Sequence, residues 1–140
     1  MKHKFTVGLL LTTILILASI GIANAQTESA IILSDGATVA ESENVTVADN
    51  IITVTEAGSY TLSGSLTDGQ VVVAVDSGMV NLNMAGVEIS NSSDPALLIE
   101  SADEVVINLP DGVDNTLIST AGNNDTDDAT NAALYSAVIL

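Results

Sequence analysis

Beyond residue 25 the aliphatic residues of this sequence come in short runs, each cut off by Gly, Asn, Asp or Ser within about two helical turns. No stretch holds the 3.6-residue apolar spacing of a surface helix for longer. Val45–Val47, Ile51–Thr55, Ser59–Ser63, Gln70–Val75, Val80–Met84 and Glu104–Leu109 read instead as short β-strands. They are rich in Val, Ile, Leu and Thr, and several alternate apolar with polar residues. Asp35-Gly36, Ala57-Gly58, Ser63-Gly64, Asp68-Gly69, Ser77-Gly78, Ala85-Gly86 and Asp111-Gly112 mark turns between them. The expected fold class is all-β.

A weak internal repeat bears on the architecture. Val80-Asn81-Leu82-Asn83-Met84-Ala85-Gly86-Val87 aligns with Val105-Val106-Ile107-Asn108-Leu109-Pro110-Asp111-Gly112-Val113, allowing one inserted residue. Pro95-Ala96-Leu97-Leu98-Ile99-Glu100-Ser101 is echoed by Asn131-Ala132-Ala133-Leu134-Tyr135-Ser136. The first offset, about 25 residues, is the length of one coil of a β-solenoid. In such a coil each strand stacks on its equivalent in the next rung and buries narrow aliphatic ladders. With no Trp, one Phe and two Tyr, the chain suits that interior better than a sandwich core built on aromatics. A β-sandwich remains the alternative, because it too uses short strands at close spacing.

The first 25 residues have the three parts of an export signal. Lys2, His3 and Lys4 form a basic start, Phe5 to Ile22 carries no charge, and Ala23-Asn24-Ala25 offers small residues at a cleavage site. A retained anchor is the rival, since a bilayer needs about 20 apolar residues. The small-x-small site and the polar stretch after it favour cleavage, leaving residues 26–140 as one domain. The expected location is secreted, extracellular or at the cell surface.

Both Lys and the only His lie inside this segment, while all 18 Asp and Glu lie beyond it. The exported chain therefore carries no basic side chain. Such a surface repels nucleic acid and anionic membranes, which are bound through Lys and Arg, and it attracts divalent cations. A solvated acidic surface serving solubility is the plainer reading of the same charge. Without Cys there are no disulfides or thiolate sites, and without His a Ser-His-Asp triad is impossible. Paired carboxylates leave glycoside hydrolysis open in principle, although no local motif argues for it.

Ala57-Gly58-Ser59-Tyr60-Thr61-Leu62-Ser63-Gly64-Ser65-Leu66-Thr67-Asp68-Gly69-Gln70 resembles the entry motif of a family of secreted bacterial carbohydrate-binding domains. Leu82-Asn83-Met84-Ala85-Gly86-Val87-Glu88-Ile89-Ser90 and Ser101-Ala102-Asp103-Glu104-Val105-Val106-Ile107-Asn108-Leu109 are similar to the stretches that follow in it. Asp111-Gly112-Val113-Asp114-Asn115-Thr116-Leu117 and Asn131-Ala132-Ala133-Leu134-Tyr135-Ser136 keep the family's order. The resemblance runs from Ile31 to Ser136. It implies a right-handed parallel β-helix of about four coils, shaped like pectate lyases, that binds calcium and acidic plant polysaccharide such as polygalacturonate. Cellulose-type glycans are also associated with the family, which is regarded as non-catalytic. Members are longer, so this chain is expected to be C-terminally incomplete.

The densest group of oxygen ligands is Asn123-Asn124-Asp125-Thr126-Asp127-Asp128. Calcium takes six to eight hard oxygens, which closely spaced Asp, Asn and loop carbonyls supply. Asp125, Asp127 and Asp128 are the candidate Ca²⁺ ligands, with Asp94 of Asn91-Ser92-Ser93-Asp94 as a fourth. The competing readings are a solvated acidic loop for the first group and ordinary turn chemistry for the second. Asp103-Glu104 and Asp111 to Asp114 read chiefly as solubilising turns. Tyr60 and Tyr135 are candidates for sugar stacking, against simple packing into the surface. The expected function is a non-catalytic module holding acidic polysaccharide through calcium. A structural or adhesive surface module and a two-carboxylate polysaccharide hydrolase are the alternatives. Pectate-lyase-type chemistry lacks its basic residue in residues 26–140.

Overall fold

Eleven strands and no helix make up the computed structural model, which describes residues 28–121, 132–138 and 140. The strands are β1 (Glu28–Leu33), β2 (Val39–Ala40), β3 (Val45–Ala48), β4 (Ile51–Val54), β5 (Gly58–Leu66) and β6 (Gln70–Ala74). Then follow β7 (Met79–Asn91), β8 (Leu97–Ser101), β9 (Glu104–Asn108), β10 (Thr116–Ser119) and β11 (Leu134–Ser136). They form two sheets. One has six strands in the order β10-β7-β5-β1-β2, with β9 also on β7; the other has five, in the order β11-β8-β6-β4-β3.

From β4 to β9 the chain passes back and forth between the sheets, and each of β6 to β9 joins its predecessor-but-one in parallel; β10 then stays in the six-stranded sheet beside β7, and β11 returns to pair with β8. The internal repeat is visible in this register. Val80 to Asn83 pair residue for residue with Val105 to Asn108, and Leu97 and Leu98 with Leu134 and Tyr135.

The right-handed parallel β-helix of about four coils is nevertheless corrected by the sheet topology. Both sheets are mixed and open, and among the described residues no strand pairing closes one onto the other. At the N-terminal edge the chain doubles back twice: β2 runs antiparallel to β1, and β3 antiparallel to β4. The first reversal uses the Asp35-Gly36 turn, with Gly36 at φ 65; the second uses Asp49-Asn50, with Asp49 at φ 55. Both place a residue in the left-handed region that tight hairpins require. The result is two facing layers, closer to the sandwich alternative in its layering.

Alternation explains why the layers adhere. In β5, Tyr60 and Leu62 point inward while Ser59, Thr61 and Ser63 do not; in β7, Val80, Leu82 and Met84 alternate with Asn81 and Asn83. The opposite layer contributes Ile52, Val54, Val71, Val73, Leu97 and Ile99, all at 0–1% exposure. These side chains form one core cluster between the layers. Each fully buried Leu, Ile or Val contributes roughly 1.5–3 kcal/mol from removal of apolar area from water.

Candidate functional site

Three features of the outer surface could carry chemistry: a corner of stacked turns, a polar row on the six-stranded sheet, and the outward face of the five-stranded sheet.

The corner lies where the chain leaves one sheet for the other. Asp35 accepts from the Thr67 amide at 3.0 Å and from the Thr67 hydroxyl at 2.6 Å. These bonds, the hydroxyl first, hold its carboxyl below the ordinary carboxylate range. Asn50 links neighbouring turns, donating to Asp35 Oδ1 and to the Asp68 carbonyl, each at 3.3 Å. Asp68 Oδ1 accepts from the Ser92 amide and hydroxyl, both at 2.9 Å. Asn91 is buried; its Nδ2 donates to the Gly69 carbonyl at 2.9 Å, and its Oδ1 accepts from the Ser93 and Asp94 amides at 2.9 and 2.7 Å. The Asn91–Asp94 segment thus has the local side-chain-to-backbone bonding of an Asx turn. Asp94 itself is exposed, and its carbonyl accepts from Ser119 Oγ at 3.1 Å.

Asp125, Asp127 and Asp128 lie outside the described residues. The chain reaches them from Ser119, Thr120 and Ala121, with the Thr120 amide bonded to the Asn91 carbonyl at 2.9 Å. Of the four expected ligands, Asp94 is therefore placed beside the exit toward the other three. Among the described residues no group of three metal-ligating side chains comes together. Asp103, read from sequence as a solubilising turn residue, instead fastens one turn to another: its Oδ2 accepts from the Gly78 amide at 2.7 Å.

The polar row was not legible as a site. Glu28, at the start of β1, accepts from Thr61 Oγ1 on β5 and from Asn83 Nδ2 on β7, the latter at 2.9 Å. The Thr61 bond and then the Asn83 bond hold its carboxyl below the usual range. Residues 55 apart in sequence meet here because β1, β5 and β7 lie side by side, which the register shows and local pattern does not.

The two tyrosines separate cleanly. Tyr60 is 2% exposed and donates to the Glu56 carbonyl at 2.8 Å. Burial is the main reason its hydroxyl pKa is raised; the nearby Glu56 charge adds to this and a bond with Asn44 opposes it. It cannot reach a sugar. Tyr135 on β11 is half-buried, in register with Leu98 on the outward side of the five-stranded sheet.

Two clefts complete the surface. A polar one of about 480 Å³ is lined by Ser29, Glu41, Ser42, Glu43, Asn44 and Tyr60, among others. Glu41 and Glu43 are both solvent-exposed, whereas a glycosidase acid works from a desolvated pocket. An apolar one of about 630 Å³ opens at the β9–β11 end of the core, between Met84, Leu97, Ile107, Leu117 and Leu134.

Comparison with known proteins gives this all-β surface a class. The family described as "Carbohydrate-binding domain-containing protein" matches residues 48–140, and the chain belongs to that family. A carbohydrate-binding domain-containing protein of Acetivibrio thermocellus is 36% identical over 83 residues, which is 56% of this chain and 29% of the relative. Among solved structures, the polysaccharide lyase-like protein from C. thermocellum, in its gadolinium derivative, superposes with a TM-score of 0.70 at 29% identity. That match covers 79% of this chain and 47% of the other. The chain thus spans less than a third of the curated relative and about half of the solved one.

Proposed function

We propose that this chain is a secreted, non-catalytic carbohydrate-binding module that holds acidic polysaccharide through calcium. Residues 1–25 serve as its export signal, and Asp94, Asp125, Asp127 and Asp128 supply carboxylates to the cation. Family membership supports the carbohydrate. The observation that carries the cation is the placement of Asp94, exposed in the corner where Ser119 and Thr120 lead into the acidic segment.

The charge makes the cation necessary for an anionic ligand. With no Lys or Arg beyond residue 25, nothing in the chain pairs directly with a sugar carboxylate. A bound divalent ion reverses the local charge and leaves coordination positions for the glycan. The lack of a basic residue also speaks against lyase chemistry on the pectate lyase plan.

A pull-down on polygalacturonate, first with calcium and then with chelator, tests the proposal. Binding is expected with calcium and not with chelator; equal binding in both, or none in either, refutes it. Replacing Asp125, Asp127 and Asp128 together by Asn should abolish the calcium-dependent fraction. N-terminal sequencing of protein from the culture medium should begin at Gln26.

A second reading, a self-associating structural module, is favoured by one observation. The apolar cleft at the β9–β11 end is rimmed by Leu109 at 66% exposure and Val113 at 39%. Concentration-dependent assembly without glycan affinity would support it.

A further inference from the structure

The outward positions of the two sheets differ along their central strands. On β5 and β7 of the six-stranded sheet they are Ser59, Thr61, Asn81 and Asn83, with exposed Ile32 and Ile118 on the flanking strands β1 and β10. On the five-stranded sheet, one outward row crosses four strands as Thr53, Val72, Leu98 and Tyr135, joined by the pairings Thr53↔Val72, Val72↔Leu98 and Leu98↔Tyr135. Leu97 and Ile99, on either side of Leu98, are 1% and 0% exposed, so the pleat turns Leu98 and its partner Tyr135 away from the core.

We propose that this face binds the apolar side of a pyranose ring, with Tyr135 as the stacking platform and Leu98 as the shelf beside it. The proposal rests on the carbohydrate-binding reading but not on calcium. A pyranose presents a face of C–H groups and a rim of hydroxyls. An aromatic ring offers that face a flat surface with negative charge density, and the phenolic hydroxyl reaches the rim. Parallel strands about 4.8 Å apart place neighbouring side chains at a spacing comparable to one sugar unit. Glu100, two positions along β8 from Leu98, is exposed and supplies a hydroxyl acceptor at the margin. Tyr60 has no part in this, being committed to the core.

The absence of Trp makes the test direct, because the near-ultraviolet signal comes mainly from Tyr60 and Tyr135. The protein is titrated with cello-oligosaccharide and, separately, with oligogalacturonate, each in chelator and in calcium, while tyrosine fluorescence and calorimetric heat are followed. A saturable tyrosine change in chelator is expected with at least one sugar. Tyr135→Leu should weaken that binding about tenfold or more, the equivalent of one good aromatic contact. Tyr135→Phe should retain it calorimetrically, and Leu98→Thr should weaken it less. Far-ultraviolet circular dichroism establishes that each variant is folded, and Leu98→Thr serves if Tyr135→Leu is not. Binding by Tyr135→Leu or Leu98→Thr within twofold of the parent overturns the proposal, as does binding that leaves the tyrosine signal unchanged. Chelator-resistant binding that depends on Tyr135 supports it even if the calcium reading fails. Binding that needs calcium and ignores Tyr135 refutes it while sparing that reading, and no sugar binding under any condition refutes both.

Discussion

The two sheets close one core from opposite sides, yet they solve the problem with different materials. The five-stranded sheet is built on short strands, Ile51–Val54, Gln70–Ala74 and Leu97–Ser101, which supply β-branched and Leu side chains and shift register once, between Val73 and Ala74. The six-stranded sheet is built on the long strands β5 and β7, of nine and 13 residues, whose register shifts at a bulge between Leu62 and Gly64. Its core side includes the largest buried residue, Tyr60. Its outer side is tied laterally by the Glu28–Thr61–Asn83 bonds. A bulge re-aims a strand locally and increases its twist. The long strands of the six-stranded sheet thus give a polar, cross-linked outer face, where the shorter strands of the other turn Val72, Leu98 and Tyr135 outward. Backbone demands should be sharpest in the bulged sheet, packing demands should be shared, and charge effects should be confined to the polar side.

The largest effect expected from this contrast is at Gly64. It sits at φ 92, and a Cβ there would lie 2.3 Å from the Leu33 carbonyl oxygen on the neighbouring strand. Neither a rotamer change nor a small side-chain shift relieves a clash with backbone. Gly64→Ala should cost at least about 3 kcal/mol, through left-handed strain and separation of β1 from β5. The outward neighbour Ser63→Ala should stay within about 0.5 kcal/mol. Urea denaturation of both variants measures the difference; equal stabilities would remove the bulge from the account.

A core truncation in the five-stranded sheet should come next. Ile99→Ala removes a fully buried side chain between two strands and should cost about 2–5 kcal/mol. Leu82→Ala, its counterpart in the bulged sheet, should fall in the same range. If the two differ by much more than the spread of such values, the layers do not share one core. The apparent Kd for glycan in variants that remain folded should change less than their stability.

These two predictions also mark what the sequence carried. Val80–Asn83 and Val105–Asn108 were recognisable as equivalents because alternation and composition repeat, and equivalence is what parallel register reads. The strands over 45–48, 51–54, 70–74 and 104–108 were legible for the same reason. Closure was not. Asp35-Gly36 was visible as a turn, but whether it reverses a strand or passes it on to the next layer depends on pairing partners distant in sequence. Asp49-Asn50 lacks the glycine that would have flagged a hairpin, since Asp itself takes the positive φ there. Glu28, at the border of the export signal, gave no local sign that it would meet Thr61 and Asn83. Tyr60 and Tyr135 were equally plausible sugar ligands until the pleat assigned one inward and one outward.

A smaller loss is expected where the two sheets meet at the corner. Asn91 bonds through both ends of its amide, to Gly69 in one direction and to Ser93 and Asp94 in the other. Asn91→Ala leaves buried backbone groups without partners and should cost about 1–3 kcal/mol. Asn91→Asp keeps the acceptor and loses the donor, so it should lie between the two. If Asp94 ligates calcium, Asn91→Ala should also weaken calcium affinity, because it frees the turn that places the carboxylate. Thermal midpoints measured with and without calcium separate these two effects.

The smallest effect is electrostatic and belongs to the polar sheet and its corner. Glu28 and Asp35 both have carboxyl pKa values lowered by hydrogen bonds to their charged forms, from Thr61 and Asn83 in one case and from Thr67 in the other. A carboxyl whose pKa is depressed by folding binds its proton more weakly in the native state than in the unfolded chain. The stabilisation is therefore complete above the ordinary carboxylate range and is lost as pH falls through the depressed native values. Both groups are exposed, so solvent screening keeps each contribution small. Equilibrium unfolding followed from neutral pH into the acid range should show stability declining only below the ordinary carboxylate range. Asp35→Asn with Glu28→Gln should flatten that decline without changing the neutral-pH slope. The stack on Tyr135 and Leu98 is an apolar contact, so Tyr135-dependent sugar binding should survive the Asp35→Asn with Glu28→Gln double substitution unchanged. A loss of sugar binding in that double variant while the fold is intact would place the sugar on the polar sheet, and the contrast between the two outer faces would have to be reversed.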